Sequence, residues 1–230
     1  MWMFLYITLI SFIPSLAWMA VVLVEDVHQE RHRDIFSVFL VGMLAAAPVL
    51  MVAQLGDVFL ESLGVVLPAA LDKFIFGALN EELIKVVLLY WFAMTAKFWD
   101  EPIDIFVYAG TLALGFAGIE NFVLSLNRAD FVGQGLEQLL FMRSISAVLV
   151  HIVSTFFFAY ALKIYQERRQ ESVLVFGALI SIGFHGLYNY SLSIPSLADI
   201  EVFEYFYILV LVPTVIYMMS VVRKLRRQSQ

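Results

Sequence analysis

The sequence predicts an all-α fold, a bundle of about seven transmembrane helices, and three observations support this class. Of the 230 residues, 62% are hydrophobic, whereas soluble proteins contain roughly 45–50% apolar residues. The apolar residues form runs of about twenty, the length at which a helix crosses the hydrocarbon core. Lys and Arg are concentrated between these runs. The bilayer is therefore the expected solvent, and residues 1–230 are expected to form one integral membrane domain.

The spans can be placed in order along the chain. The first run has no basic segment before it and no small-residue cleavage site before Glu25, which favours a retained helix over a signal peptide. The stretch 57–73 contains Gly64 and Pro68 and is expected to be re-entrant or interfacial; as a further crossing it would give eight spans. The predicted spans are residues 1–24, 35–56, 74–96, 103–126, 139–162, 173–193 and 203–222.

The distribution of basic residues predicts the orientation in the membrane. Only two basic residues between the spans, Lys73 and Arg128, follow even-numbered spans. The positive-inside rule then places the N-terminus outside and the C-terminus in the cytoplasm. The basic residues at the C-terminal side of odd-numbered spans are Arg31, Arg33, Lys97, Lys163, Arg168, Arg169, Arg223, Lys224, Arg226 and Arg227.

The ionisable residues inside predicted helices are the candidates for function. There are no cysteines, which excludes disulfides, cysteine zinc sites and a thiol nucleophile, so catalysis would have to use Ser, Asp, Glu or His. A charged residue at the bilayer centre costs about 2.5–3.5 kcal/mol on insertion scales. Each such residue therefore needs a partner, a water-filled cavity or a function.

The third and fourth predicted spans carry carboxylates. Spacings of three and four residues place Lys85 beside both Glu82 and Glu81 on one helical face, although an acid pair at a helix end, neutralised by its own lysine, explains this pattern equally well. Glu120 follows a stretch rich in Gly and Ala, residues 109–118, where helices can approach closely. It is expected to face the bundle interior, as a functional group or as an interhelical hydrogen-bond clasp.

The fifth and sixth predicted spans carry histidines. Arg143 and His151 are eight residues apart, which predicts that they lie on one side of one helix, and Asn189 follows His185 by one turn. Either histidine alone fits a hydrogen-bonded packing residue. Because the topology brings both histidines and the carboxylates to a similar depth, we expect one cavity in the outer half of the membrane, open to extracytoplasmic water.

Such a cavity could hydrolyse a peptide bond in two ways. Carboxylates and imidazoles can orient and deprotonate a water, and an imidazolium or an amide can stabilise the oxyanion. The same residue types are zinc ligands, so the expected cofactor is either none or one divalent metal ion, with zinc favoured. The candidate metal ligands are Glu81, Glu120, His151 and His185.

These residues resemble the PrsW family of intramembrane proteases, which is related to CAAX prenyl proteases and bacteriocin-processing enzymes. The signatures of site-2, rhomboid and presenilin-type proteases are absent from the sequence. The family pattern is Glu-Glu-Glu-x-x-Lys, Phe-x-x-x-Glu and His-x-x-x-Asp on successive helices. The resemblance covers residues 74 to about 190. The matching segments here are Asn80-Glu81-Glu82-x-x-Lys85, Phe116-x-x-x-Glu120 and His185-x-x-x-Asn189.

Two positions depart from this pattern. Asn80 replaces the first glutamate, which puts a third acid in doubt, and Asn189 replaces the final aspartate, although the CAAX prenyl proteases carry Asn there. The resemblance implies a catalytic core at about residues 74–193.

Within that core the resemblance implies distinct roles. Glu81 or Glu82 would activate the water, Glu120 and His185 would hold it or stabilise the oxyanion, and Asn189 would assist. His151 joins this catalytic set because of its depth, with Lys85 and Arg143 as charge partners.

The resemblance also implies the substrate and the location. Single-span membrane proteins such as anti-sigma factors would be cut on the extracytoplasmic side of the bacterial cytoplasmic membrane, and no nucleic-acid partner is expected. Two other functions stay open. A non-catalytic scaffold would use the same polar residues as a structural network, and a proton-coupled transporter would use them as a relay, although the sequence lacks the paired halves typical of transporters.

Overall fold

A computed structural model describes residues 2–26, 28–95, 101–128, 134–193 and 202–228. Every regular element in these segments is helical, which confirms the all-α prediction. Two segments, Lys73–Leu79 and Tyr207–Leu211, are π-helical. The α-helices are α1 (Trp2–Val24), α2 (His32–Ser62), α3 (Ala69–Asp72), α4 (Asn80–Thr95), α5 (Asp104–Asn127), α6 (Gln134–Ile145), α7 (Ala147–Arg168), α8 (Glu171–Ser191), α9 (Val202–Phe206) and α10 (Val212–Gln228).

Six helical segments in the described residues are long and apolar enough to cross a membrane, which confirms a multi-pass protein. The predicted third span is not among them, because it is divided between a π-helical segment and α4, and α4 alone has 16 residues. Helical structure nevertheless continues from residue 69 to residue 95. The count of seven crossings stays a prediction. The six segments are Trp2–Val24, His32–Ser62, Asp104–Asn127, Gly135–Arg168, Glu171–Ser191 and Glu204–Arg227.

The second predicted span is longer than expected. It continues to Ser62, so the first part of the stretch expected to be interfacial belongs to α2. The helix ends where Gly64 adopts a φ of 66°, which lets the amide of Val65 donate to the carbonyl of Leu60 and that of Gly64 to Glu61. This is the Schellman arrangement that closes many helices at a glycine.

The fifth predicted span, residues 139–162, lies within the candidate span Gly135–Arg168, but it is not one uninterrupted helix. The backbone breaks at Ser146, whose φ is −123° and ψ is −84°, so Arg143 lies in α6 and His151 lies in α7. The Ser146 hydroxyl donates to the carbonyl of Met142. Side-chain hydrogen bonds of this kind compete with the helical backbone pattern, and hydropathy alone does not reveal them.

Helix α5 is the centre of the bundle. It is buried almost continuously from Asp104 to Gly118, and it packs against α1, α2 and α7. Two glycines permit the crossing with α2, since a Cβ on Gly42 would lie 2.2 Å from the Leu112 carbonyl oxygen and one on Gly115 would lie 2.1 Å from that of Phe39. Close packing places the polar end of α5 beside α4 and α7.

Candidate active site

Glu82 lies at the centre of the polar cluster and is fully buried. Lys85, one turn later in α4, donates to its Oε1. His185 Nδ1 lies 2.6 Å from the same oxygen, and the hydroxyls of Ser154 and Ser181 donate to Oε1 and Oε2 at 3.0 Å. Four donors from three helices therefore satisfy this carboxylate, as a buried charge requires.

Glu81, the neighbouring residue, lies in a different environment. Its side chain is 14% exposed, and its buried Oε2 has no hydrogen-bond partner among the described residues. That oxygen is 3.8 Å from His185 Nε2 and 3.9 Å from His151 Nδ1. Lys85 was expected to neutralise both glutamates, but its direct ion pair in the structure is with Glu82.

The hydrogen bonds define which ring nitrogens of the two histidines face which partners. A carboxylate only accepts, so His185 donates from Nδ1 to Glu82, and its Nε2 lies towards Glu81. The Lys85 ammonium only donates and lies 3.1 Å from His151 Nδ1, so His151 carries its proton on Nε2 and donates to Glu120 Oε2 at 2.6 Å. Glu81 Oε2 and His185 Nε2 thus face each other at 3.8 Å, beyond direct hydrogen-bond distance.

Glu120 is held from the opposite side by Arg143. Its Oε1 lies 2.7 Å from Arg143 Nη2, and Arg143 Nε donates to Asn121 Oδ1 at 2.6 Å. The predicted relation between Arg143 and His151 along one helix is wrong, yet both residues contact Glu120. The guanidinium fork serves this arrangement because it can donate to two groups at once.

The two asparagines at the family-like positions make structural contacts. Asn80 donates to the Val49 carbonyl at 2.9 Å and ties α4 to α2. Asn189 donates to the Lys73 carbonyl at 3.2 Å and ties α8 to the π-helical segment before α4. Asn189 also lines the same cavity as Glu81.

A polar cavity of about 340 Å³ opens onto the cluster. Glu81, Glu120, His151 and His185 form part of its wall, while Glu82 does not line it. The cavity lies between α2, the π-helical segment and α8, and its other polar lining residues are Asp57, Asp72, Lys73 and Asn189.

Glu81, His151 and His185 are suitable ligands for a metal ion. One ligand atom from each lies within 4.8 Å of the others, and tetrahedral zinc with bonds of about 2.0–2.1 Å would need separations of roughly 3.3 Å. The unpartnered Oε2 of Glu81 fits a cation, and each histidine donates its other nitrogen to a carboxylate, as zinc-binding histidines do. Lys85 would give up its contact with His151. The structure does not bring Glu120 into this ligand set.

Three residues of the polar cluster had no role predicted from the sequence. Ser154 and Ser181 bind Glu82, and Asn121 holds Arg143. A signal was present for the serines, because Ser154 follows His151 by three residues and Ser181 precedes His185 by four, spacings that place each pair on one helical face.

The fold and the site define a class: a multi-pass helical membrane protein with carboxylates and imidazoles gathered around a polar cavity inside the bundle. The sequence profile described as "PrsW family intramembrane metalloprotease" matches residues 30–218. The chain belongs to this family. It is an intramembrane protease, a multi-pass protein of the bacterial cell membrane, and its substrates are membrane-embedded proteins.

Relatives with established names agree with the family assignment. "Protease PrsW" of Geobacillus kaustophilus is 28% identical over 180 residues, which cover 78% of this chain and 76% of the relative. "Protease PrsW" of Shouchella clausii is 26% identical over 190 residues, which cover 81% and 83%. The protein of the same name from Oceanobacillus iheyensis is 25% identical over 185 residues, or 78% and 80%. No solved structure shows significant similarity to the chain.

Proposed function

We propose that this protein is an endopeptidase in which Glu81, His151 and His185 hold and activate the water that attacks a peptide bond. One observation carries the proposal: the unpartnered Oε2 of Glu81 lies at the wall of the polar cavity and faces both imidazoles. A carboxylate oxygen in that position can accept a proton from water. Residues 74–193, which contain every residue of the cluster, form the proposed catalytic core.

Glu82 has a positioning role in this proposal. Its oxygens are already engaged by four donors, and it does not line the cavity. It orients the His185 ring so that Nε2 faces Glu81, and it fixes Lys85 beside His151. This assigns the water-activating role to Glu81.

Glu120 and His151 act as a second pair at the cavity wall. Glu120 is 35% exposed and accepts a hydrogen bond from His151 Nε2, so it orients the His151 ring at the cavity wall. Arg143 and Asn121 keep the Glu120 carboxylate in place. Asn189, at the rim, is available to donate to the carbonyl oxygen of a substrate.

Glu81, His151 and His185 would also be the residues that hold a zinc ion. When bound, such an ion polarises a carbonyl and lowers the pKa of its water. In that form the Glu81 carboxylate is a ligand and Glu120, at the same cavity, is the available proton acceptor. The description of the family as metalloproteases and the convergence of the three donor atoms support this form.

The proposed substrates are single-span membrane proteins of the anti-sigma-factor type, cut near the extracytoplasmic surface. The polar cluster lies at one end of the bundle, close to the start of α4 and α7 and to the end of α5 and α8. In the predicted orientation this end faces outward. The polar cavity at that end would supply water for hydrolysis.

The test is cleavage of candidate single-span proteins by purified protein in liposomes. We expect Glu81→Gln and His185→Gln to reduce turnover at least about 100-fold, the range for a lost acid or base group. Glu167→Gln, in an exposed ion pair with Lys163 on α7, is the matched control and should cleave like the wild type.

A zinc chelator separates the two forms of the site. Loss of cleavage that added zinc restores would indicate the metal form, and unchanged cleavage would indicate a metal-free Glu81 base. A folded wild-type protein that cleaves no substrate, or a Glu81→Gln variant with full turnover, would contradict the proposal and favour a scaffold.

A further inference from the structure

A second cavity reaches the candidate site from another side of the bundle. It has a volume of about 210 Å³ and lies between α2 and the second half of α5. Apart from Glu81, Glu120 and Asn127 its lining is apolar, and it includes Val49 and Leu50 from α2 and Val123 and Leu124 from α5. We refer to this cavity, which ends at Asn127, as the apolar groove.

The apolar groove and the polar cavity meet at the proposed catalytic carboxylates. Glu81 and Glu120 line both spaces, and the two linings share no other residue. Hydrolysis of a membrane protein requires that water and an apolar substrate segment reach the same two carboxylates. The polar cavity suits water, while an aliphatic lining suits apolar side chains, whose removal from water or lipid headgroups is favourable.

We propose that the apolar groove binds an extended segment of the substrate and accepts its aliphatic side chains on one side of the scissile bond. This inference rests on the proposed function. From Glu120 to Asn127 the helix rises about 10 Å, which corresponds to about three residues of extended chain. A peptide lying there would place its next peptide bond at Glu81 and Glu120, at the border with the polar cavity.

The position of the groove favours a peptide over a lipid acyl chain. An acyl chain would gain nothing from the two carboxylates at the inner end, whereas a peptide brings amide groups that can hydrogen-bond to them. Leu50, at 40% exposure, lies at the outer side of the groove. Val123 and Leu124 then limit the size of the side chains that fit.

The absence of cysteines from the natural sequence allows a direct contact test. In a Glu81→Gln chain, single cysteines would be introduced as Leu50→Cys and Val123→Cys in the groove and as Leu187→Cys on the exposed side of α8, close to the depth of His185. The probe is a single-span peptide of Leu and Ala, about 20 residues long, with a polar flank and one cysteine at a varied position near its outer end. Disulfide formation in liposomes is the readout.

We expect the two groove positions to form disulfides at least about 10-fold faster than Leu187→Cys, and only with a few adjacent peptide positions. Equal rates at all three sites, or no reaction in the groove, would overturn the proposal. Reaction of the Val123→Cys variant with a thiol-bearing acyl lipid, but not with the peptide, would also overturn the proposal and would indicate a lipid site.

A cleavage assay tests the specificity of the groove. Val123→Trp should reduce cleavage of a peptide with Leu beside the scissile bond at least about 10-fold more than cleavage of one with Ala, within the range that a hydrophobic pocket discriminates. Val175→Trp should cleave both like the wild type. Equal losses on both peptides would contradict the groove. If the wild type cleaves no peptide, the proposed function fails, and the disulfide pattern still decides whether the groove binds a peptide.

Discussion

Glu81 and Glu82 are adjacent in the sequence but differ in what surrounds their carboxylates. Glu82 is fully buried and has four hydrogen-bond donors, whereas Glu81 keeps one unpartnered oxygen at a cavity wall. A helix turns by about 100° per residue, so one glutamate points between α7 and α8 while the other points towards the cavity. The proposed function therefore gives Glu82 a structural role and Glu81 a catalytic one.

These different surroundings predict that Glu82→Gln mainly lowers stability, whereas Glu81→Gln mainly abolishes cleavage. Glu82→Gln leaves the buried Lys85 without its charge partner, and we expect a loss of about 3–5 kcal/mol in the free energy of unfolding. Glu81→Gln should leave the unfolding midpoint close to that of the wild type and abolish cleavage. Unfolding of the purified variants in detergent, measured alongside cleavage, compares them.

A paired variant serves as the control. Glu82→Gln combined with Lys85→Met removes both charges and should recover much of the lost stability, because the uncompensated ammonium is gone. A destabilised Glu81→Gln together with a stable Glu82→Gln would reverse the assignment of the two roles.

At the residue scale, the sequence identifies the charged members of the cluster better than their partners. The spacing of Glu82 and Lys85 within one helix made their contact predictable. The contacts of Ser154 and Ser181 with Glu82 join residues 72 and 99 positions apart. No local pattern encodes such pairs, because they depend on how α4, α7 and α8 pack.

At the scale of helices, the crossing of α2 and α5 controls the spacing of the elements around the site. Gly42 and Gly115 allow backbone contact there, and Glu120 lies five residues beyond Gly115 on α5. Small residues at such crossings are typical of packed membrane helices. A change in the crossing would displace Glu120 and the apolar groove together.

We expect Gly115→Ala to lower the free energy of unfolding by about 1–3 kcal/mol, the usual cost of overpacking, since its Cβ would meet the Phe39 backbone at 2.1 Å. Gly183→Ala in α8 is the matched control. A Cβ there meets nothing within 4 Å, and alanine is favoured over glycine in a helix by up to about 1 kcal/mol. Unfolding in detergent measures both; equal effects would show that close packing at Gly115 has no energetic importance.

Hydropathy predicted where the long helices lie, but it did not predict the two places where the α-helical backbone is interrupted. Apolar composition continues across the break at Ser146 and across the π-helical segment Lys73–Leu79, and the length of an apolar run does not report backbone hydrogen bonding. The end of α2 was missed for the opposite reason. Polar residues such as Asp57 and Glu61 interrupt the apolar run while the helix continues to Ser62.

At the scale of the whole molecule, the candidate site occupies one end of the bundle. Glu81 lies one residue after the start of α4 and His151 four residues after the start of α7, while Glu120 and His185 lie seven and six residues before the ends of α5 and α8. These helices alternate in direction, so the four residues share one depth. Which side of the membrane that end faces decides which substrates can reach it.

The positive-inside prediction places this end outside the cell, and labelling of single cysteines in intact cells can test it. Ser62→Cys, at the exposed end of α2, lies at the same end as the site and should react with a membrane-impermeant maleimide. Ser172→Cys, at the exposed start of α8, lies at the opposite end and should react only after the membrane is permeabilised. Both residues are surface serines, so each substitution is a control for the other. The reverse labelling pattern would place the site at the cytoplasmic surface and the excess of Lys and Arg outside. It would exclude extracytoplasmic segments as the substrates.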